Sequence, residues 1–236
     1  MSSISRRSFM GGAAAGFAAL ATPAIAASQT PLLFKEGDWK MASFQHLLTQ
    51  SYEAKQLFDT TNVDGGGVFD HMVNSLNGLQ FGFGIPAEKI KIVGAFRAQA
   101  SVLNFNDSLW EKYRIGELVK IKDHNTGKWA TRNIFVTSPA GNPPKYVSND
   151  PENENSSFGD SSIQALQARG VQLLACHIAL YYVANRMSKR LKLKQSAEEI
   201  REDISANLLP GVIIVPSMVS AIVMLQSKGH FTYLRM

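Results

Sequence analysis

Three short runs constrain this chain most: "KIVGAF" (Lys91 to Phe96), "VQLLA" (Val171 to Ala175) and "GVIIV" (Gly211 to Val215). Each is continuously apolar, the signature of a strand covered on both faces rather than one. Between and around them lie stretches with apolar residues at helical spacing. "DWKMASFQHLLTQSYEAK" (Asp38 to Lys55) carries Met41, Phe44, Leu47, Leu48 and Tyr52 on one stripe, and Phe69, Met72, Val73, Leu76 and Leu79 form another. "HIALYYVANRMSKRL", "SAEEIREDISANL" and "SMVSAIVMLQSKG" read the same way. Strand and helix therefore alternate, and right-handed crossovers turn that alternation into a doubly wound, mostly parallel sheet with helices on both faces.

Local signals set the boundaries. "KQLFDTTN" reads as a strand before "KIVGAF", and "HFTYLRM" as a terminal one. The glycines of "VDGGG" mark a turn, since glycine weakens either regular element. Asn106 or Asp107 caps a helix over "NDSLWEKYRIGELV". Gly170 ends the helix in "SSIQALQARG", and Ser196 with Glu199 makes a capping box. From 120 to 157 the chain turns to Asn, Pro, Gly, Ser and charge. It reads as a surface insertion with a short hairpin around Ile134 to Val136.

The first 26 residues are set apart from the fold. Paired Arg6 and Arg7, a weakly apolar and acid-free run, and Ala24-Ile25-Ala26 as a small-x-small cleavage pattern read as a twin-arginine export signal. The expected mature protein starts near Ala27, in the periplasm, without a stable membrane anchor. It comprises an N-terminal helical extension (27–54) and an α/β domain (55–236) with the insertion at 120–157. Without Arg6 and Arg7 the 24 basic residues become 22 against 19 acids, a formal charge of about +3. That balance is too small to imply a nucleic-acid surface.

Ligands and reactive groups of wound sheets gather beyond the carboxyl ends of the strands. Cys176, the single cysteine, is placed there: it closes "VQLLA" and precedes a helix. A helix N-terminus offers unpaired amide donors and partial positive charge, which favour thiolate over thiol. The competing reading is a small buried side chain filling the core. His177 is a candidate assistant in proton transfer, against a plain capping or surface histidine. The histidines at 46, 71, 124, 177 and 230 lack the paired spacing of a zinc helix, so no metal is expected. "DGGG" lacks the glycine patterns of nucleotide-binding loops, so no cofactor is expected either.

"LQARGVQLLACHIAL", followed by "DISANLLPGVIIVPSMVSAIVMLQSKGHFTYLR", resembles the carboxyl half of the DsrE/DsrF-like sulfur-relay family. The matching residues are Arg169, Gly170, Val171 and Cys176, then Leu209 to Val212, Val215 to Ser217, Leu225, Gln226, Gly229 and Tyr233. The resemblance is dense over 163–235, loose over 55–118, and absent from the N-terminal helix and the 120–157 segment. It implies a flavodoxin-like fold, assembly into trimers or hexamers, and a Cys176 that carries sulfane sulfur as a persulfide between donor and acceptor proteins. A sulfurtransferase or sulfur carrier is the first functional expectation. The alternatives are a non-catalytic oligomeric binding module with a structural Cys176, and a redox or haem-associated accessory protein using His or Met ligands.

Overall fold

The computed structural model describes residues 39, 41–138, 146, 148–153 and 155–236. The expected export signal and cleavage site lie outside the described residues. Five strands form one sheet: β1 (Ala54–Thr60), β2 (Ile90–Phe96), β3 (Gln172–Cys176), β4 (Ile213–Val215) and β5 (Thr232–Arg235). Their order is β4-β3-β2-β1-β5, and every pairing is parallel.

Alternate strand residues divide the core in two. One face presents Phe58, Ile92, Phe96, Leu173, Ala175 and Ile214 to six helices. These are α2 (Gly67–Asn77), α5 (Ile163–Ala168), α6 (His177–Leu191), α7 (Ala197–Ala206) and the broken pair α3 (Asp107–Lys112) and α4 (Ile115–Val119). The other face presents Leu57, Val93, Ala95, Leu174, Ile213 and Val215 to α1 (Met41–Thr49) and α8 (Met218–Ser227). The winding explains this division. From β1 to β4 the chain moves one strand at a time in one direction, so right-handed crossovers lay their helices on one face. From β4 it returns across the sheet to β5, and the same handedness puts α8 on the opposite face. The fold is α/β, flavodoxin-like and doubly wound.

Several boundaries follow the expected chemistry. The Asn106 side chain accepts from Leu109 N at 3.1 Å, Ser196 and Glu199 form the reciprocal capping box, and Gly170 takes φ +87° after α5. In the middle of β2, Gly94 permits close packing. A Cβ there would stand 2.9 Å from Met72 Cε and 3.0 Å from Leu173 Cδ2, so a larger residue would force those side-chain ends to shift.

Other expectations need correction. The helix anticipated over 106–119 breaks at Arg114, whose left-handed backbone (φ +50°) separates α3 from α4. No hairpin forms around Ile134 to Val136. The Phe135 and Val136 carbonyls instead accept the first amides of α5, from Ile163 at 2.9 Å and Gln164 at 3.1 Å, satisfying donors that a helix start leaves open. Nor is this part of the 120–157 segment a loose surface insertion. Asn133 is buried and donates to the Leu103 and Phe105 carbonyls, while Ala130 packs on Gly116 so closely that a Cβ there would meet Ala130 O at 2.3 Å.

Candidate active site at the carboxyl edge of the sheet

In a parallel sheet, the crevice that takes ligands opens where neighbouring strands send their chains to opposite faces. β3 and β4 are such neighbours: β3 leads into α6 on one face, and β4 leads through Pro216 and Ser217 into α8 on the other. Cys176 stands at that divergence. Its Sγ accepts Ala179 N at 3.4 Å, from the first turn of α6, and Met218 N at 3.3 Å, from the first residue of α8. One sulfur thus takes an amide from each of two helix N-termini. Oxygen-bearing side chains usually fill this capping role, and a thiol is a weaker acceptor than any of them. A thiolate meets the same two donors as a charged acceptor, and the ends of both helix dipoles add to the stabilisation.

The sulfur is not widely open. Cys176 is 6% exposed and contributes to the smaller core cluster.

The neighbours of Cys176 on the same face are charged. Parallel register sets Phe96 beside Ala175, so the next residues sit side by side, Arg97 just past the end of β2 and Cys176 as the last residue of β3. Leu57 and Asp59, Ala95 and Arg97, and Leu174 and Cys176 then share one face by the two-residue repeat of strands. Arg97 grips Asp59 with both ends of its guanidinium, Nε to Oδ1 at 2.7 Å and Nη2 to Oδ2 at 2.8 Å. The Tyr233 hydroxyl, from β5, donates to Asp59 Oδ2 at 2.8 Å. A row of Cys176, Arg97, Asp59 and Tyr233 therefore crosses four strands or their ends.

Electrostatics within the row are mutually supporting. Burial of Asp59, whose side chain is 1% exposed, pushes its carboxyl up, but the Arg97 and Tyr233 hydrogen bonds and the charges of Arg97 and Arg235 outweigh this and hold it below the usual carboxylate range. The hydrogen bond to Asp59 raises Arg97 against the opposing effect of burial, and the Asp59 and Cys176 charges add to the rise. Tyr233 is raised by its own hydrogen bond to Asp59, with burial contributing. Arg97 is a fixed cation within electrostatic reach of the sulfur.

His177, the expected assistant, opens α6 and is buried. The donors seen at the sulfur are the Ala179 and Met218 amides. Sequence reading missed Asp59 and Arg97, and met Tyr233 only as one of the residues of the family resemblance. The available signal was a charged residue ending two apolar strand runs, in "LFD" and "GAFR", where the carboxyl-end rule for parallel sheets applies as it does to Cys176.

Among the described residues, no group of three or more His, Cys, Asp or Glu side chains is arranged to hold a metal ion, and no helix is long and apolar enough to cross a membrane. Comparison with family models, curated proteins and solved structures finds no match to this chain.

Proposed function

We propose that this chain is an exported, DsrE-like sulfane-sulfur carrier that works through a persulfide on Cys176. The observation that carries the reading is the sulfur's place at the switch point of the sheet, where it receives amides from the starts of α6 and α8. The Cys176 thiolate attacks the outer sulfur of a donor, the donor's remaining sulfur leaves with the bonding pair, and Cys176 Sγ–S⁻ results. An acceptor thiolate then attacks that terminal sulfur and returns Cys176 to thiolate, the exchange chemistry of disulfides applied to one sulfur atom. No net proton is consumed, and no metal or nucleotide takes part. The same two amides that stabilise the attacking thiolate also stabilise it as the leaving group of the second step. His177 retains a proposed assisting role, next in sequence to the reacting sulfur.

Homo-oligomers, trimers or hexamers, belong to this proposal. Val219, Val223 and Met224 of α8 and Tyr233 of β5 are exposed, which favours a partner surface on the α8 side of the molecule. Light scattering of the purified protein reads the oligomer number directly. The periplasm is the proposed compartment, tested by fractionation of cells carrying the intact chain and a version with Arg6 and Arg7 replaced by lysine.

The decisive test of the chemistry is intact mass after polysulfide treatment. A gain of about 32 Da, absent in Cys176→Ala, is expected for one added sulfur. No gain in a folded protein would remove the carrier reading. A second reading is favoured by the low exposure of Cys176: a structural thiol that packs and caps within a non-catalytic binding module. On that reading Cys176→Ser, folded and assembled like the parent, would lose nothing but a reactive group it never used.

A further inference from the structure

Resting on the carrier reading, we infer that the Arg97, Asp59, Tyr233 and Arg235 row is an oxyanion subsite, and that the sulfur donor is a small anion whose sulfane sulfur is attached to a sulfonate, as in thiosulfate. The observations concern the row itself. Asp59 is buried and committed on both oxygens, Oδ1 to Arg97 and Oδ2 to Arg97 and Tyr233. Such a carboxylate costs more to bury than a surface pair returns, so it serves to hold something in place. What it holds is Arg97: the bidentate grip uses Nε and Nη2 and fixes the plane of the guanidinium. Among the described residues Nη1 has no acceptor, and the Arg97 side chain remains 29% exposed. A charged fork with donors to spare is therefore partly open to solvent, carried by the residue that follows Phe96 in the register pairing Phe96 with Ala175, and it feels the Cys176 charge.

Charge selects the ligand. Asp59 stands opposite Arg235 in the β1 and β5 register, and both Arg97 and Arg235 act on it electrostatically. Two guanidinium groups against one carboxylate leave the row with a surplus positive charge. The helix starts at Cys176 point the same way. A planar fork with free N–H groups suits the oxygen atoms of a sulfonate better than a lone sulfur chain, because Arg pairs with two oxygens at once. The reaction balances without another reagent. Cys176 thiolate attacks the sulfane sulfur of thiosulfate, the Sγ–S bond forms, the bond from that sulfur to the SO3 group breaks, and sulfite leaves with the bonding pair. Total charge is three negative on each side, and no proton moves.

The experiment compares two donors on the purified protein by intact mass: thiosulfate, which carries the sulfonate, and polysulfide, which does not. Wild type is expected to gain one sulfur from both. Because Arg97→Gln alone would strand the Asp59 charge, the variants are the neutral pair Asp59→Asn with Arg97→Gln, the single change Arg97→Lys, and the exposed-edge change Arg235→Gln. Loading from thiosulfate should fall about tenfold or more in the neutral pair relative to its own loading from polysulfide, with smaller falls in the other two. Equal loading of wild type and the neutral pair by thiosulfate overturns the subsite, as does polysulfide loading of wild type with none from thiosulfate. Failure of every donor on folded wild type is a different outcome: it removes the carrier reading and the subsite with it. Should the neutral pair not fold, Arg97→Lys and Arg235→Gln decide the matter by the same ratio.

Discussion

The two ends of the sheet differ in kind. At the amino edge, an open groove of about 770 Å³ runs between the starts of β1 and β5 and the end of α2, lined by Tyr52, Lys55, Gln56, Ser75, Leu79, Phe83 and His230 among others. It has room, mixed lining and an aromatic ring, Phe83, that is 81% exposed. At the carboxyl edge a buried carboxylate, a fixed guanidinium, a phenol and the only thiol converge on one face. The groove and the charged row are separated by the length of the strands. The lesson is that cavity volume follows from incomplete covering of an edge strand, whereas convergent charge at strand ends has to be built and stabilised residue by residue. β5 illustrates the first point: all four of its residues are exposed although the sheet is wholly parallel.

This contrast can be broken by stability measurements. The largest effect is expected for Arg97→Ala, which leaves the Asp59 carboxylate buried without its cation and should cost about 3 kcal/mol by urea unfolding. A loss no greater than that of an ordinary surface change would mean the carboxyl edge is not electrostatically organised. Acid should act at the same place. Asp59 is held below the usual carboxylate range in the folded protein, so its contribution is complete above the unfolded value of about 3.9 and is lost as pH falls through the folded one. Stability plotted against pH should therefore drop steeply in that acid window, and Asp59→Asn should flatten the drop.

Cys176→Ala removes the acceptor shared by two helix starts and should cost about 1 kcal/mol, a loss that Cys176→Ser restores in part because its hydroxyl caps as well. The smallest effect belongs to the amino edge. Phe83→Ala should leave the unfolding midpoint within about 0.5 kcal/mol of the parent, because the ring is almost fully in solvent. A larger loss there would mean that the groove, too, is a built site.

Much of the frame was legible in the chain because it depends on local pattern. Continuous apolar runs marked β2, β3 and β4, and cap residues such as Asn106, Ser196 and Gly170 marked helix ends through bonds to their own neighbours. The position of Cys176 at a strand end followed from the same pattern. What escaped depends on partners distant in sequence. Arg114 breaks a helix whose side-chain periodicity is intact, and the Ile134 to Val136 stretch spends its carbonyls on α5 instead of on a hairpin. The row of Asp59, Arg97 and Tyr233 spans 174 residues of chain and exists only because β1 pairs with both β2 and β5. Nor does any local signal announce that Met218 N reaches a sulfur 42 residues away.

The most direct measurement is the alkylation of Cys176 in the folded protein at neutral pH with iodoacetamide, followed by mass. A sulfur poised at the switch point between α6 and α8 is expected to take one adduct per chain within minutes, while circular dichroism stays unchanged. If instead the thiol stays unlabelled until denaturant is added, Cys176 is a packing group and the carboxyl edge is not a reactive site.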